Sequence, residues 1–265
     1  MFKRNYIEDH LRQIRSSGRL SFTWNELKIR FEISDNALNQ RLYQLKSKGR
    51  IAMVRKGFYV IIPPEYSHYK MLPPSLFIDD LMKSIFKPYY VGLYSAAAFY
   101  GAAHQQPLEY TVVTLKPALR QIALDNLKIK FFVKNTWSES DILDKKTDSG
   151  YIKVSSPELT ALDLLYYTAY SGINRIATVL KELTEQMKPS DLYAASQHFP
   201  ETASIQRLGY ILDKELNQVL LSNSLKKALK NRKCSLVSLT SSLEKKGIID
   251  KEWFVQVYVK IETDI

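Results

Sequence analysis

Three helical segments in close succession, then two short extended runs that meet at Arg55-Lys56-Gly57, occupy the first 62 residues. From about Asn5 to Ser16, Ile7, Leu11 and Ile14 fall on one helical face, and Gly18 follows as a stop. A second helix starts at Thr23. There Thr23-Trp24-Asn25-Glu26 has the spacing of a capping box, in which hydroxyl and carboxylate each satisfy an amide of the first turn. Ser34 caps a third helix, whose buried stripe is Leu38, Leu42 and Leu45 and which Gly49 ends. Arg50–Val54 and Phe58–Ile62 read as a hairpin, with Gly57 able to take the positive φ of a tight tip. Elements in this order and at these lengths predict a winged helix-turn-helix.

Charge gives that module a direction. Residues 1–60 hold 13 Lys+Arg against 5 Asp+Glu, a net of +8 out of the chain's +11; the remainder holds 25 against 22. Neutralisation of phosphates by Lys and Arg supplies most non-specific DNA affinity, so double-stranded DNA is the expected partner. On the third helix, the residues facing away from the leucines are Asn36, Asn39, Gln40, Arg41, Tyr43 and Gln44. Asn, Gln and Arg are the side chains able to make paired contacts with adenine or guanine edges in the major groove. Arg50, Arg55 and Lys56 on the wing are placed for phosphates or the adjacent minor groove. A solvated polar face and an ordinary charged turn are the plain alternative for any one of these residues alone.

At 265 residues and 45% hydrophobic content, the chain has material for about two domains. The single cysteine, Cys234, rules out an internal disulfide framework and a cysteine-based zinc site, and His10, His68, His104 and His198 show no ligand spacing. No apolar run has the length of a signal peptide or a membrane span. The expectation is a soluble cytoplasmic protein with no metal, no cofactor and no membrane partner.

Ile62-Pro63-Pro64 and Leu72-Pro73-Pro74 bracket an extended, stiff connector, which puts the reader at 1–62, a linker at 63–74 and a large body at 75–265. The body opens with an amphipathic helix at about Ser75–Phe86, its buried side being Ile78, Leu81, Met82, Ile85 and Phe86. An alanine-rich helix follows and closes at Gly101. Strands are expected at Tyr110–Leu115, Ile129–Lys134 and Tyr151–Val154, and the polar stretch Ser138–Gly150 reads as a surface loop. Ser156-Pro157-Glu158 starts a buried helix that runs to about Tyr170. Helices fill 174–233, near 174–186, 190–197, 203–217 and 222–231, and a last strand alternates over Trp253–Ile261. The fold class is α+β: a winged helix followed by a larger α+β domain with a helical subdomain.

Catalysis by the body is not expected. The sequence contains no phosphate-binding glycine loop of the G-x-x-x-x-G-K-[ST] or G-x-G-x-x-G type and no G-x-S-x-G elbow. A metal-dependent nuclease needs clustered carboxylates, yet Lys128, Lys130 and Lys134 have no carboxylate partners nearby in sequence. Asp163 sits among Leu159, Leu162, Leu164 and Leu165, where satisfaction by a neighbouring side chain is the preferred reading over a site. Glu158 reads as a helix-start charge. Lys226, Lys227, Lys230, Arg232 and Lys233 form a second basic cluster, either a solvated helix end or a patch for an acidic partner or further DNA.

Several segments resemble the AbiEi-type antitoxins, the regulator components of type IV toxin–antitoxin systems. The winged helix closes with Lys48-Gly49-Arg50-Ile51 and Arg55-Lys56-Gly57-Phe58-Tyr59-Val60, and Tyr90-Val91-Gly92-Leu93-Tyr94-Ser95-Ala96 follows. The most diagnostic run is Val154-Ser155-Ser156-Pro157-Glu158-Leu159-Thr160-Ala161-Leu162-Asp163-Leu164-Leu165, and Asp250-Lys251-Glu252-Trp253 precedes the final strand. Gln105-Gln106 and the Ser138–Gly150 stretch have no counterpart in that pattern. The resemblance implies a repressor that binds inverted repeats at its own promoter through the winged helix. It further implies that the larger domain counters a nucleotidyltransferase-type toxin without a stable complex. Two other readings stand beside it: a transcription factor with a ligand-sensing or dimerisation body and no toxin, and a nuclease with unrecognised catalytic residues.

Overall fold

The computed structural model describes residues 6–102, 108–170, 172–240, 247–258 and 261. The chain divides into two compact units: Met1–Tyr90 with Val113–Val133 and Asp144–Lys153, and Val91–Val112 with Lys134–Leu143 and Val154–Ile265.

In the first unit, α1 (Tyr6–Ser16), β1 (Ser21–Thr23), α2 (Trp24–Phe31), α3 (Asp35–Ser47), β2 (Ile51–Arg55) and β3 (Phe58–Ile61) make the expected winged helix. The capping box is present: Glu26 N donates to Thr23 Oγ1 at 3.1 Å, and Thr23 N donates to Glu26 Oε2 at 2.6 Å. Ile7, Leu11, Ile14, Leu27, Leu38, Leu42 and Leu45 close one core with Phe22, Ile51 and Ile61. The sheet order is β1-β3-β2, entirely antiparallel. Strand β1 was not expected. It seats Phe22 in the core and stacks its ring on Tyr59 at 5.4 Å between centroids.

Residues 63–74 are not an extended rod. Pro64–Tyr66 forms a 3-10 turn, Met71 and Leu72 are buried, and a second turn spans Pro74–Leu76. Proline's fixed φ suits the first position of a helical turn as well as an extended segment. The following helix, α4 (Ile78–Ser84), is shorter than its periodicity suggested. Ile78, Leu81 and Met82 are buried as expected, but Phe86 is 92% exposed. The backbone turns at Ile85, and Phe86 leaves the helical face with φ +53°. The start of α4 holds the winged helix: Ser21 Oγ donates to Asp80 Oδ2 at 2.5 Å, and Arg19 Nε lies 3.5 Å from the same oxygen.

After β4 (Tyr89–Val91) and α5 (Leu93–Phe99) come β5 (Tyr110–Leu115), β6 (Ile122–Leu124), β7 (Leu127–Lys134), β8 (Ile142–Thr147) and β9 (Gly150–Ser155). They form a six-stranded sheet in the order β6-β7-β5-β4-β9-β8, with β4 and β9 parallel through Val91 and Val154. The stretch read as a surface loop, Ser138–Gly150, instead carries a 3-10 turn at Glu139–Asp141 and the edge strand β8. Asp144, Lys145 and Lys146 lie on that strand, and charge of this kind discourages edge-to-edge pairing.

In the second unit, α6 (Pro157–Tyr166) is buried from Pro157 to Leu165 and packs against α7 (Ile173–Leu183), α8 (Pro189–His198) and α9 (Thr202–Tyr210). Helix α9 runs into a π turn at Ile211–Glu215, and α10 (Val219–Leu229) packs on α8 and α9. A small sheet, order β10-β12-β11, closes the unit from β10 (Val237–Ser238), β11 (Ile248–Asp250) and β12 (Val255–Val257). The expected strand Trp253–Ile261 is therefore shorter at both ends: it starts at Val255 and stops at Val257, Tyr258 and Ile261 are not in a strand, and 259–260 lie outside the described residues. Trp253 sits before the strand with its ring directly over Gly209, where a side chain would collide with it.

Candidate nucleic-acid interface

The leucine stripe of α3 faces the core, so its opposite side is turned outward. Asn36, Asn39, Gln40, Tyr43 and Gln44 are exposed. Two of the expected base-reading residues are tethered within the module. Asn39 Oδ1 accepts from Trp24 Nε1 at 2.9 Å, so paired recognition of adenine by Asn39 requires that bond to open. Arg41 is half-buried: it donates to Gln44 Oε1 at 3.1 Å and lies 3.7 Å from Glu8 Oε1 on α1. Trp24, which no pattern in the sequence singled out, thus positions a side chain on α3.

On the hairpin, Arg55 and Lys56 are exposed beside Gly57, whose φ of +81° makes the tight tip, and Arg50 is exposed at the base of β2. Other cations of the module are engaged internally. Arg19 Nη2 donates to both Glu26 oxygens at 2.6 and 2.8 Å, and Lys28 Nζ lies 2.5 Å from Asp35 Oδ1 across the turn between α2 and α3. Burial alone would raise the Glu26 carboxyl, but hydrogen bonds from the Thr23 amide and Arg19 hold it below the ordinary range. Arg50, Arg55 and Lys56 have no carboxylate within ion-pair distance among the described residues. A groove of about 910 Å³ runs past Trp24 and Asn39 to Arg55, Lys56 and Phe86.

The second basic cluster is largely engaged within its own unit. Lys226 Nζ lies 2.5 Å from Glu252 Oε1 and 5.4 Å from the centre of the Trp253 ring, and Lys227 Nζ stands 4.9 Å over the Tyr193 ring. Arg232 donates to the carbonyls of Ser196 at 2.7 Å and Gln197 at 3.1 Å. Lys230 and Lys233 are exposed. Asp213, 3.6 Å from Lys226 Nζ, accepts from Trp253 Nε1 at 3.1 Å. Burial opposes ionisation there, but Lys214, Trp253 and Lys226 lower the Asp213 carboxyl to about 2.

Inside the second unit two expectations change. Lys134, expected to lack a carboxylate partner, forms a buried ion pair with Asp163, with 3% and 0% of the side chains exposed. Its ammonium also lies 4.4 Å from the centre of the Phe199 ring. Glu158 is more than a helix-start charge: it is buried and accepts from the backbone amide of Lys188 at 3.0 Å, fixing the start of α8 to α6. Among the described residues, no group of His, Cys, Asp or Glu is arranged to hold a metal ion, and no helix is long and apolar enough to cross a membrane.

Residues 90–214 match the family described as the AbiEi antitoxin C-terminal domain. The crystal structure of the RV2827C protein from Mycobacterium tuberculosis is similar in fold, with a TM-score of 0.64 at 15% identity over 93% of this chain and 89% of that one. No curated protein matches the sequence. The Val154–Leu165 segment that carried the resemblance lies in the matched region as the end of β9 and the Ser156-capped start and buried body of α6. Residues 90–214 are thus an AbiEi antitoxin C-terminal domain, which supports an AbiEi-type antitoxin.

Proposed function

We propose that this antitoxin also represses its own operon: residues 1–62 bind promoter DNA at inverted repeats, and residues 75–265 counter a nucleotidyltransferase-type toxin in the cytoplasm without a stable complex. The observation that carries the DNA-binding half is the pairing of an outward polar face on α3 with Arg50, Arg55 and Lys56, cations that have no carboxylate partner among the described residues. Phosphates are the natural counterions for such a wing. The match of residues 90–214 to an antitoxin C-terminal domain supports the toxin-directed half. No catalytic role is proposed for either unit.

The test keeps the full chain and separates the two activities. An Arg55→Ala/Lys56→Ala double variant and the wild type are supplied from an unrelated promoter to cells that express the adjacent toxin reading frame. Rescue of growth by both proteins, with repression of the native promoter only by the wild type, is expected. Loss of rescue together with loss of repression would overturn the division of labour, and failure of the wild type to repress would overturn autoregulation.

A further inference from the structure

Phe86 is more exposed than any other aromatic ring among the described residues, at 92%. It also occupies the position after α4 where the chain reverses: Phe86 N donates to Lys83 O at 3.1 Å, Lys87 N donates to Met82 O at 3.0 Å, and φ is +53°. Glycine fills such a turn without strain, whereas a side chain there is penalised. The ring therefore occupies an unfavourable backbone conformation and gains no burial in return. Strain of this kind persists at sites that meet a ligand.

Its surroundings identify the ligand class. Phe86 lips the groove that Arg55, Lys56 and Gly57 bound on the wing side and that reaches Trp24 and Asn39. Lys83, at the same lip, pairs with Asp79 at 2.6 Å and keeps 74% of its side chain exposed. An apolar ring flanked by cations, continuous with a recognition helix and a wing, has the composition of proteins that unstack a base step from the minor groove while gripping phosphates. We propose that Phe86 is a wedge that enters the bound duplex at a base step beside the wing, so that DNA is read by three elements: α3, the β2–β3 hairpin and the end of α4. This rests on the reading of the winged helix as a DNA binder.

The experiment uses the full chain and a duplex covering the sequence immediately upstream of its own reading frame. Affinity is measured across a salt series, and bending by the mobility of circularly permuted fragments. Phe86→Ala should bind about ten-fold more weakly, with an unchanged salt slope and a smaller bend, because a lost ring removes stacking and no phosphate contact. Phe86→Leu should keep most of both, and the thermal midpoint of Phe86→Ala should equal or exceed that of the wild type. If Phe86→Ala binds and bends like the wild type while Arg55→Ala weakens binding, the wedge is refuted and the winged-helix reading stands. If the wild type does not bind the duplex, or Arg55→Ala and Lys56→Ala are both without effect, both are refuted.

Discussion

The ammonium of Lys134, at the end of β7, is paired with the carboxylate of Asp163 on α6 in surroundings closed to water, with the Phe199 ring against the cation. A charge pair at such depth gives little net stability over an apolar replacement, but either charge alone is costly. Asp163→Ala and Lys134→Met should each destabilise the chain by about 3–5 kcal/mol, and Lys134→Met/Asp163→Leu should recover much of that loss. Urea unfolding of the four proteins checks this. Additive losses in the double variant would mean the two groups do not act as a pair.

His10 on α1 stands edge-on to Phe31 at 5.7 Å, and its Nδ1 is buried without a hydrogen-bond partner. Burial, then the Arg30 charge, lowers its pKa below 6.5. The unfolded chain therefore takes up a proton near pH 6.5 that the folded chain refuses until lower pH. Stability should be insensitive to His10 above about pH 6.5, and should fall as pH drops from there through the folded value. His10→Leu should remove that part of the slope. Urea midpoints of both proteins between about pH 7.5 and 5 test it, and parallel curves would contradict it.

Wing and recognition helix should fail differently. Arg55→Ala or Lys56→Ala should weaken binding to all sequences and flatten the salt slope by about one unit per lost phosphate contact. Gln40→Ala should instead cost about 1–3 kcal/mol on the preferred site and little elsewhere. Asn39→Ala should do the same by a smaller margin, because its oxygen must first leave Trp24. Equal losses on preferred and unrelated duplexes for the α3 variants would place the sequence reading elsewhere.

The winged helix was legible because its signals are local: the Thr23/Glu26 box, the Ser34 cap and the leucines of α3 each act within a few residues. Three-residue β1 was not, since Ser21-Phe22-Thr23 is too short for an alternating pattern and abuts the capped start of α2. Strand β8 hid for the opposite reason: it lies at a sheet edge, and no residue from Ile142 to Thr147 is buried, so polar residues fill it. Phe86 continued the apolar phase of α4 in sequence, and only the backbone reversal at Ile85 takes it off that face. The tethers of Asn39 to Trp24 and Arg41 to Glu8 cross between helices, as the Lys134–Asp163 pair crosses from strand to helix. No spacing along the chain announces such contacts.

The parallel pairing of β4 with β9 puts a clock on synthesis. The winged helix has all its strands once Ile61 is made, whereas the centre of the six-stranded sheet must wait for Val154. About ninety residues separate the two points. At roughly 5–20 residues per second, that interval is roughly 5–20 s. For that time each nascent chain carries a winged helix with its strands complete ahead of a body whose central strand pair cannot yet close, so the two parts of the chain acquire their sheets seconds apart.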